Sequence, residues 1–385
     1  MPGIDPKAGG PIAMAGLAAA QQRAGMHVKM LAVTRPGDEV GVARQLESAG
    51  VGVTVVGPVK GRKDERRALA TGPLDEAVRA ADVVHVHALW EEVQYLAARA
   101  CRRIGRPYVF TPHGMLDSWS LRQRWAKKRL YRWLRLDREL RGAAAFHTTS
   151  EAERREVEAL GLGPPVIVEP LGIDMAEFEA LPPRGGFRAR YRQIGDRPLV
   201  VFLGRVHPGK GVEYLIPALA QPGARDVVLA VVGPDSKGYL AEMRKLADVQ
   251  GVADRVVFTG MAVGAERIPP LVDADLFALP SDHENFGVSA VEALAAGTPV
   301  LLSNQVNIFS ELLDAGVALV VERDPAAIAA QIGRWFGGEA GRRAEVAARC
   351  RPFARERYDW SSIARRWLRH YQKLAGKTPT TAVAG

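Results

Sequence analysis

The stretch DLFALPSDHENFGVSAVEALAAGTPVLLSN, residues 275 to 304, holds one complete unit of the fold. DLFALPS (275–281) and PVLLSN (299–304) are nearly continuous in apolar residues, and VSAVEALAA lies between them. Runs that are apolar throughout suit strands covered by helices on both faces, and a strand, helix and strand in succession make a parallel pair. Pro280 and Ser281 end the first strand, Asp282 to Phe286 form a loop, Gly287 permits close backbone approach, and Gly297 stops the helix.

The same alternation extends in both directions. Upstream lie LVVFLGR (199–205), DVVLAVVGP (226–234) and RVVFTG (255–260), and downstream VALVVE (317–322). The first half of the chain repeats the pattern in HVKMLAVT (27–34), GVTVVGP (52–58), DVVHVHAL (82–89), YVFTPHG (108–114), AAAFHTTS (143–150) and VIVEPLG (166–172). Between the halves, IDMAEFEALPPRGGFRARYRQIGDRP is rich in Pro, Gly and charge and reads as a connection. The expected fold is α/β, two tandem Rossmann-like, doubly wound domains with ligand crevices beyond the carboxyl ends of their strands. The expected boundaries are an N-terminal domain over 1–174, a linker over 175–197, a C-terminal domain over 198–357, a terminal amphipathic helix over 358–376 and a disordered tail over 377–385. DPKAGGPIAMAGLAAA places Gly9 and Gly10 ahead of a helix, where backbone could approach a phosphate or an acceptor. A Rossmann-like half feeds such a loop from a first strand, yet only Met1 to Ala8 precede it, so the expectation is either a chain that begins downstream of its natural start or a first sheet lacking an edge or central strand.

Composition agrees with 385 residues forming two globular domains. Cys101 and Cys350 lack close Cys or His neighbours, which argues against a disulfide framework or zinc cluster and fits a reducing cytoplasm. The N-terminus has neither the basic leader nor the apolar core of a secretory signal, and no run is long enough to span a bilayer. The net charge of +9 is concentrated: residues 121–141, LRQRWAKKRLYRWLRLDRELR, hold nine Lys or Arg against Asp137 and Glu139. Trp125, Tyr131 and Trp133 are interleaved with those cations. A helix with a basic and an aromatic face suits an anionic membrane surface; a solvated helix packing its aromatics on its own domain is the alternative. No recognition motif accompanies the charge, so nucleic acid is not expected as a partner.

Three groups of residues could carry chemistry. Amides around Asn285, Phe286, Gly287 and Val288 open the helix of the quoted stretch and form a seat for an anion. Glu284 lies just outside that seat and Glu292 more than a turn into the helix, so they would grip different parts of one elongated ligand, carboxylates being good acceptors for vicinal hydroxyls. The plain alternative is a capping Glu284 and a surface Glu292. In LGRVHPGKGVEYLI, Arg205 ends a strand and Lys210 sits in a Gly-rich turn, both aimed at the sheet's open edge, where they could neutralise a diphosphate without a metal. The Walker order is absent, and a simple strand-to-helix connection is the alternative. His113 in TPHGMLDSW stands beyond a strand end, able to donate to a hydroxyl or move a proton, unless backbone alone satisfies it. His85 and His87 share a strand face but lack a third ligand, so buried hydrogen-bonded histidines are preferred to a metal site.

TPHGMLDSW, GRVHPGKG and SDHENFGVSAVEALAAGTPV follow one another as in the family 4 retaining glycosyltransferases of the GT-B fold, and the chain resembles those of bacterial surface polysaccharide synthesis over nearly its whole length. The resemblance implies two domains facing a cleft and transfer of a hexosyl group from a nucleoside diphosphate sugar to a glycan or lipid-linked acceptor. By it, Glu292 holds the donor ribose, Glu284 and the Asn285–Val288 amides meet the transferred sugar, Arg205 and Lys210 bind the diphosphate, His113 lies beside the sugar, and Gly10 lines the same cleft. It implies neither a cofactor nor a metal beyond the donor itself, and a place in the cytoplasm at the inner face of the membrane. Rival readings are a nucleotide-sugar-binding protein without turnover and a nucleotide-sugar epimerase.

Overall fold

Each of the twelve apolar runs becomes a strand. A computed structural model of the chain describes residues 9–38, 41–70 and 72–377, and it divides into two units, one of residues 1–172 with 360–385 and one of residues 173–359. The strands of unit 1 are β1 (Lys29–Val33), β2 (Gly52–Val56), β3 (Val84–His87), β4 (Tyr108–Thr111), β5 (Ala145–Thr148) and β6 (Val166–Val168). Those of unit 2 are β7 (Leu199–Leu203), β8 (Val228–Val232), β9 (Val256–Gly260), β10 (Leu276–Leu279), β11 (Val300–Ser303) and β12 (Ala318–Val321).

Unit 2 is a single parallel sheet in the order β12-β11-β10-β7-β8-β9. Every residue of β7, β8, β10 and β11 is buried, as strands covered on both faces must be. The chain winds outward from β7 through β8 to β9, then returns to β10 and winds the other way. Right-handed crossovers in opposite directions put their helices on opposite faces. Accordingly the helices Val212–Leu219 and Tyr239–Val249 pack on each other, and Ile268–Asp273 packs on Val288–Ala295.

The sheet of unit 1 is interrupted. Among the described residues β3-β4-β5-β6 form one parallel sheet and β1-β2 another, with no strand between them. No strand precedes the first helix among the described residues; Met1–Ala8, on which the expectation of a missing first strand rests, lie outside them. That helix runs Gly9–Arg23, so Gly10 belongs to its first turn and not to a loop ahead of it. Pro11 follows, a residue that the first turn of a helix accommodates because amides there lack intrahelical partners.

The linker expected over 175–197 is instead built into unit 2. Asp273 accepts from the backbone of Gly185 at 2.5 Å and Arg188 at 2.9 Å, Arg184 and Arg188 both pair with Asp275, and Phe187 is buried. Two of the charges that suggested a solvated connection, Arg184 and Arg188, are thus taken up by aspartates of the same unit. At the other end, the helix Ala340–Tyr358 stays with unit 2, whereas Trp360–Leu374 belongs to unit 1. Ile363 and Trp367 are fully buried there, Trp360 rests against Gly16 and Gly172, and Glu169 accepts from Arg366 at 2.7 Å and His370 at 3.1 Å. From residue 378 onward the expected tail lies outside the described residues.

The basic stretch forms a nearly continuous helical rod: Trp125–Tyr131 is α-helical, Arg132–Leu136 winds as a π-turn and Asp137–Arg141 is α-helical again. Arg135 is drawn inward to the fully buried Glu92 at 2.7 Å and over the Tyr95 ring at 3.9 Å, while Trp133 and Leu134 face outward. Tyr131, expected on the exposed aromatic face, is half-buried under Arg62 and Arg135.

Candidate donor site in unit 2

β7 and β10 are adjacent in the sheet, yet the chain leaves them in opposite directions. A doubly wound sheet opens a crevice at such a point, beyond the carboxyl ends of its strands. The loops after these two strands carry the candidate residues.

After β7, Gly204 leads to the exposed Arg205, and Val206 pairs with the backbone after β8, accepting from Ser236 and donating to Pro234. His207 to Lys210 form a turn closed by the Lys210 amide on the His207 carbonyl at 3.1 Å. Gly211 then starts the helix Val212–Leu219 at φ 96°, and a Cβ on it would stand 2.6 Å from the Pro280 carbonyl oxygen. Only glycine lets the Lys210 turn lie this close to the end of β10. Glu213 accepts from the amides of Gly209 at 2.6 Å and Gly211 at 3.1 Å, so this turn keeps those two amides for itself while the lysine side chain reaches Glu284.

After β10, Ser281 is buried and Asp282 ties the two loops together, donating its amide to the Gly209 carbonyl and accepting from Tyr214 at 2.8 Å and Arg323 at 3.0 Å. Glu284 is held by backbone bonds to Gln305 and Asn307, and its Oε2 accepts from Lys210 Nζ at 2.6 Å. Gly287, at φ 83°, opens the helix Val288–Ala295; Ala290 and Val291 donate to the Gly287 carbonyl at 2.9 and 3.4 Å, and the Val288 and Ser289 amides precede the first intrahelical acceptor at the end nearest this loop. Asn285 accepts from Asn307 Nδ2 at 3.3 Å. Phe286 is 3% exposed and meets the Tyr358 ring edge-on, so its side chain belongs to the core and only its backbone can line a site.

Glu292 lies in the same helix, below the loop. Burial pushes its carboxyl above the usual range, opposed by Arg267, whose Nε donates to Oε1 at 2.7 Å. Lys210 and Glu284 are thus joined directly, and Glu292 is held separately from Glu284. Arg205 stands at the neighbouring strand end, with no contact to the other three among the described residues. Arg267 was invisible in the sequence, being an arginine in an ordinary polar loop with no motif around it.

In unit 1, His113 has φ 52°, a left-handed conformation rarely adopted by a residue with a side chain, and its Nε2 meets His87 Nδ1 at 3.1 Å. His147 and His85 belong to a chain of hydrogen bonds whose polarity can be worked out. His147 Nε2 donates to the Glu169 carbonyl at 2.8 Å, so its Nδ1 accepts from the Thr111 hydroxyl at 2.8 Å. Thr111 Oγ1 then accepts from His85 Nε2 at 2.6 Å, and His85 Nδ1 accepts from the Tyr371 hydroxyl at 2.6 Å. Burial pushes His113 down to about 3 and His147 to about 4, and His85 and His87 well below the ordinary histidine value, so all four are neutral near pH 7. Both ring nitrogens of His85 are committed to hydrogen bonds, and among the described residues no group of three or more His, Cys, Asp or Glu is placed to hold a metal ion.

Residues 8–173 match the family described as Glycosyl transferase 4-like domain and residues 186–357 that described as Glycosyl transferases group 1. A D-inositol 3-phosphate glycosyltransferase of Actinosynnema mirum is 30% identical over 78% of this chain and 76% of its own length. Another of that description from Kineococcus radiotolerans is 29% identical over 97% and 92%. A GDP-mannose-dependent alpha-(1-6)-phosphatidylinositol monomannoside mannosyltransferase of Mycolicibacterium smegmatis is 34% identical over 57% and 59%. Among solved structures, a glycosyltransferase from Rickettsia africae superposes with TM-score 0.79 at 16% identity, covering 98% of each chain. Anabaena HepE in complex with UDP gives 0.78 at 20%, covering 97% of this chain and 98% of HepE. With both halves of the chain matched and the two-unit fold shared, this protein belongs to the family 4 glycosyltransferases of the GT-B fold.

Proposed function

We propose that the chain transfers a hexosyl group from a nucleoside diphosphate sugar to a lipid-linked or glycan acceptor, with retention at the anomeric carbon, in the synthesis of a surface glycan. The observation that carries this reading is the Lys210–Glu284 contact at the β7/β10 switch point, beside the open amides of the Val288–Ala295 helix. A diphosphate at this point draws Lys210 away from Glu284 and receives the helix amides and Arg205 as further positive partners. As the glycosidic bond breaks, charge grows on the leaving phosphate oxygen, and these fixed groups interact with it more strongly than with the ground state. Glu284, released from Lys210, turns to the hydroxyls of the sugar, and Glu292 accepts from those of the ribose. No side chain on this face is placed as a covalent nucleophile, so we favour a front-side displacement in which the departing diphosphate takes the acceptor proton. In unit 1, His113 is the residue proposed to donate to a sugar hydroxyl, a role its neutral imidazole can fill.

The test is calorimetric titration of UDP-glucose and GDP-mannose into the full chain. Glu292→Ala is expected to weaken the preferred donor about 10- to 100-fold, the range for losing hydrogen bonds to a charged acceptor. Affinity equal to that of the unsubstituted chain would remove Glu292 from the donor site.

The acceptor side of the reading draws on the basic rod. Trp119, Trp125, Leu130, Trp133 and Leu134 are exposed together, between 45% and 74% of each side chain accessible, beside the exposed Arg122, Arg124, Lys127, Arg129 and Arg138. Apolar groups clustered this way mark an interaction surface, and their cations select an anionic one. We assign it to an anionic membrane holding a lipid-linked acceptor. Among the described residues no helix is long and apolar enough to cross a membrane, so contact is at the surface. Vesicles rich in phosphatidylglycerol are expected to sediment the protein, less so at high salt and less so for Trp125→Ser with Trp133→Ser. Equal recovery with purely zwitterionic vesicles would defeat the assignment.

A further inference from the structure

Arg267 stands between two carboxylates with each of its three guanidinium nitrogens engaged. Its Nε donates to Glu292 Oε1 at 2.7 Å, Nη1 donates to the Gly264 carbonyl at 2.5 Å, and Nη2 reaches Glu177 Oε2. The Phe178 ring lies 5.9 Å away, and only 17% of the arginine side chain is exposed. Glu292 Oε2 takes no protein hydrogen bond among the described residues, which leaves it as the oxygen available to a ligand. Glu177 belongs to the short turn Met175–Phe178, which follows directly on the passage of the chain into unit 2.

We propose that Arg267 is a positioning residue for the donor, keeping Glu292 ionised and turned so that its free oxygen meets the ribose, with Glu177 in turn holding Arg267. This rests on the reading of Glu292 as the ribose-binding carboxylate. The physical need is plain: a carboxylate this deep protonates unless a cation is fixed beside it, and a protonated carboxyl loses the charge-assisted bonds that grip hydroxyls. The other charged groups around the helix are occupied elsewhere. On the packed helix Ala340–Tyr358, Arg351 and Arg355 go to Glu179 and Arg357 to Glu311. Asp273, at the far end of the Ile268–Asp273 helix, caps Gly185 and Arg188, and Lys210 pairs with Glu284 beyond the helix start. Arg267 attracts the Glu292 charge and Glu177 repels it, so the two residues make opposite predictions.

UDP and GDP are titrated calorimetrically into the full chain across about pH 5.5 to 8.5, on the side of the ordinary carboxylate range toward which burial moves Glu292. Binding requires ionised Glu292, so affinity falls as pH drops through its pKa. Arg267→Ala raises that pKa: affinity near pH 7 is expected to drop about 10- to 100-fold and to recover in part toward the alkaline end, with Arg267→Lys intermediate. Glu177→Gln removes a like charge, so its acid limb moves to lower pH. In a Glu292→Gln background Arg267→Ala is expected to add less than about threefold, as members of one network do. A merely structural arginine would give losses that do not change with pH and that persist in that background, which overturns the proposal. Weakened binding in Glu292→Gln together with unaltered binding in Arg267→Ala also overturns it, while leaving the ribose reading intact. Unaltered binding in Glu292→Gln, or no heat from either nucleotide with the unsubstituted chain, overturns both. Circular dichroism of each variant shows whether it is folded, and Glu177→Gln, being isosteric, keeps the test open if Arg267→Ala is not.

Discussion

The two units wind their sheets by the same rule but differ at the centre. In unit 2, β7 is hydrogen-bonded to β8 on one side and β10 on the other, so the first strand is the one on which both directions of winding depend. In unit 1, β1 and β2 take the places of β8 and β9, and β3 to β5 those of β10 to β12, but no described strand takes that of β7. The sheet consequently falls into a pair and a quartet. Loops after the central strand carry Arg205 and Lys210 in unit 2. In unit 1 the nearest functional candidate, His113, comes instead from the loop after β4. A strand at a switch point therefore does two things at once, joining the sheet and supplying the loop that faces a ligand.

The sharpest way to break this comparison is kinetic. If the electrostatic work resides in unit 2, Lys210→Ala lowers kcat about 100- to 1,000-fold with little change in donor affinity, whereas His113→Asn costs only about tenfold, the worth of one hydrogen bond. Steady-state rates with the preferred donor decide it, and a larger loss from His113→Asn would move the centre of the chemistry to unit 1. The next test is amide exchange. β7 amides are expected to exchange only on unfolding of unit 2, and β1 and β3 amides orders of magnitude sooner, because among the described residues each has a strand neighbour on one side only. Equal protection of β1, β3 and β7 would mean that the split carries no energetic penalty.

The smallest expected effect is that of pH. His85, His87, His113 and His147 are held neutral in folded unit 1, below the value of about 6.5 that they take up on unfolding. Between the two values the unfolded chain binds more protons, so acidification from pH 6.5 toward about 4 removes stability from unit 1. Glu292 has the opposite sign: its raised folded value contributes stability to unit 2 that is complete below the unfolded value and lost as pH rises through the folded one. Calorimetry at about pH 7 and 5 is expected to show the unit 1 transition moving down by roughly 2–4 °C per kcal/mol lost, with unit 2 moving less. Loss of amide protection first in unit 2 on acidification would reverse the assignment.

Much of this was legible because parallel strands covered on both faces leave apolar runs that need no partner to be recognised, and most of the twelve were visible in that way, although β2 is largely exposed. The Lys210 turn and the Glu284–Glu292 helix announced themselves through glycines whose backbone roles are local. What could not be read was long-range pairing. Arg184 and Arg188 look the same in sequence whether solvated or clasped by Asp273 and Asp275, and so the 175–197 segment passed for a linker. Arg267 and Glu292 are 25 positions apart, and Arg267 and Glu177 are 90 apart, distances over which spacing carries no information. Phe286 was counted with its neighbours because a loop residue buried on a distant tyrosine cannot be told from one facing a ligand.

Unit 1 is assembled from two separated lengths of chain, and its closing helix, Trp360–Leu374, is synthesised only after the whole of unit 2. Unit 2 is contiguous and can fold while that helix is still being synthesised. The nascent N-terminal half must therefore wait, with the surface that Trp367 will cover exposed to chaperones, until that helix has emerged behind unit 2. Birth order and completion order are inverted in this polypeptide.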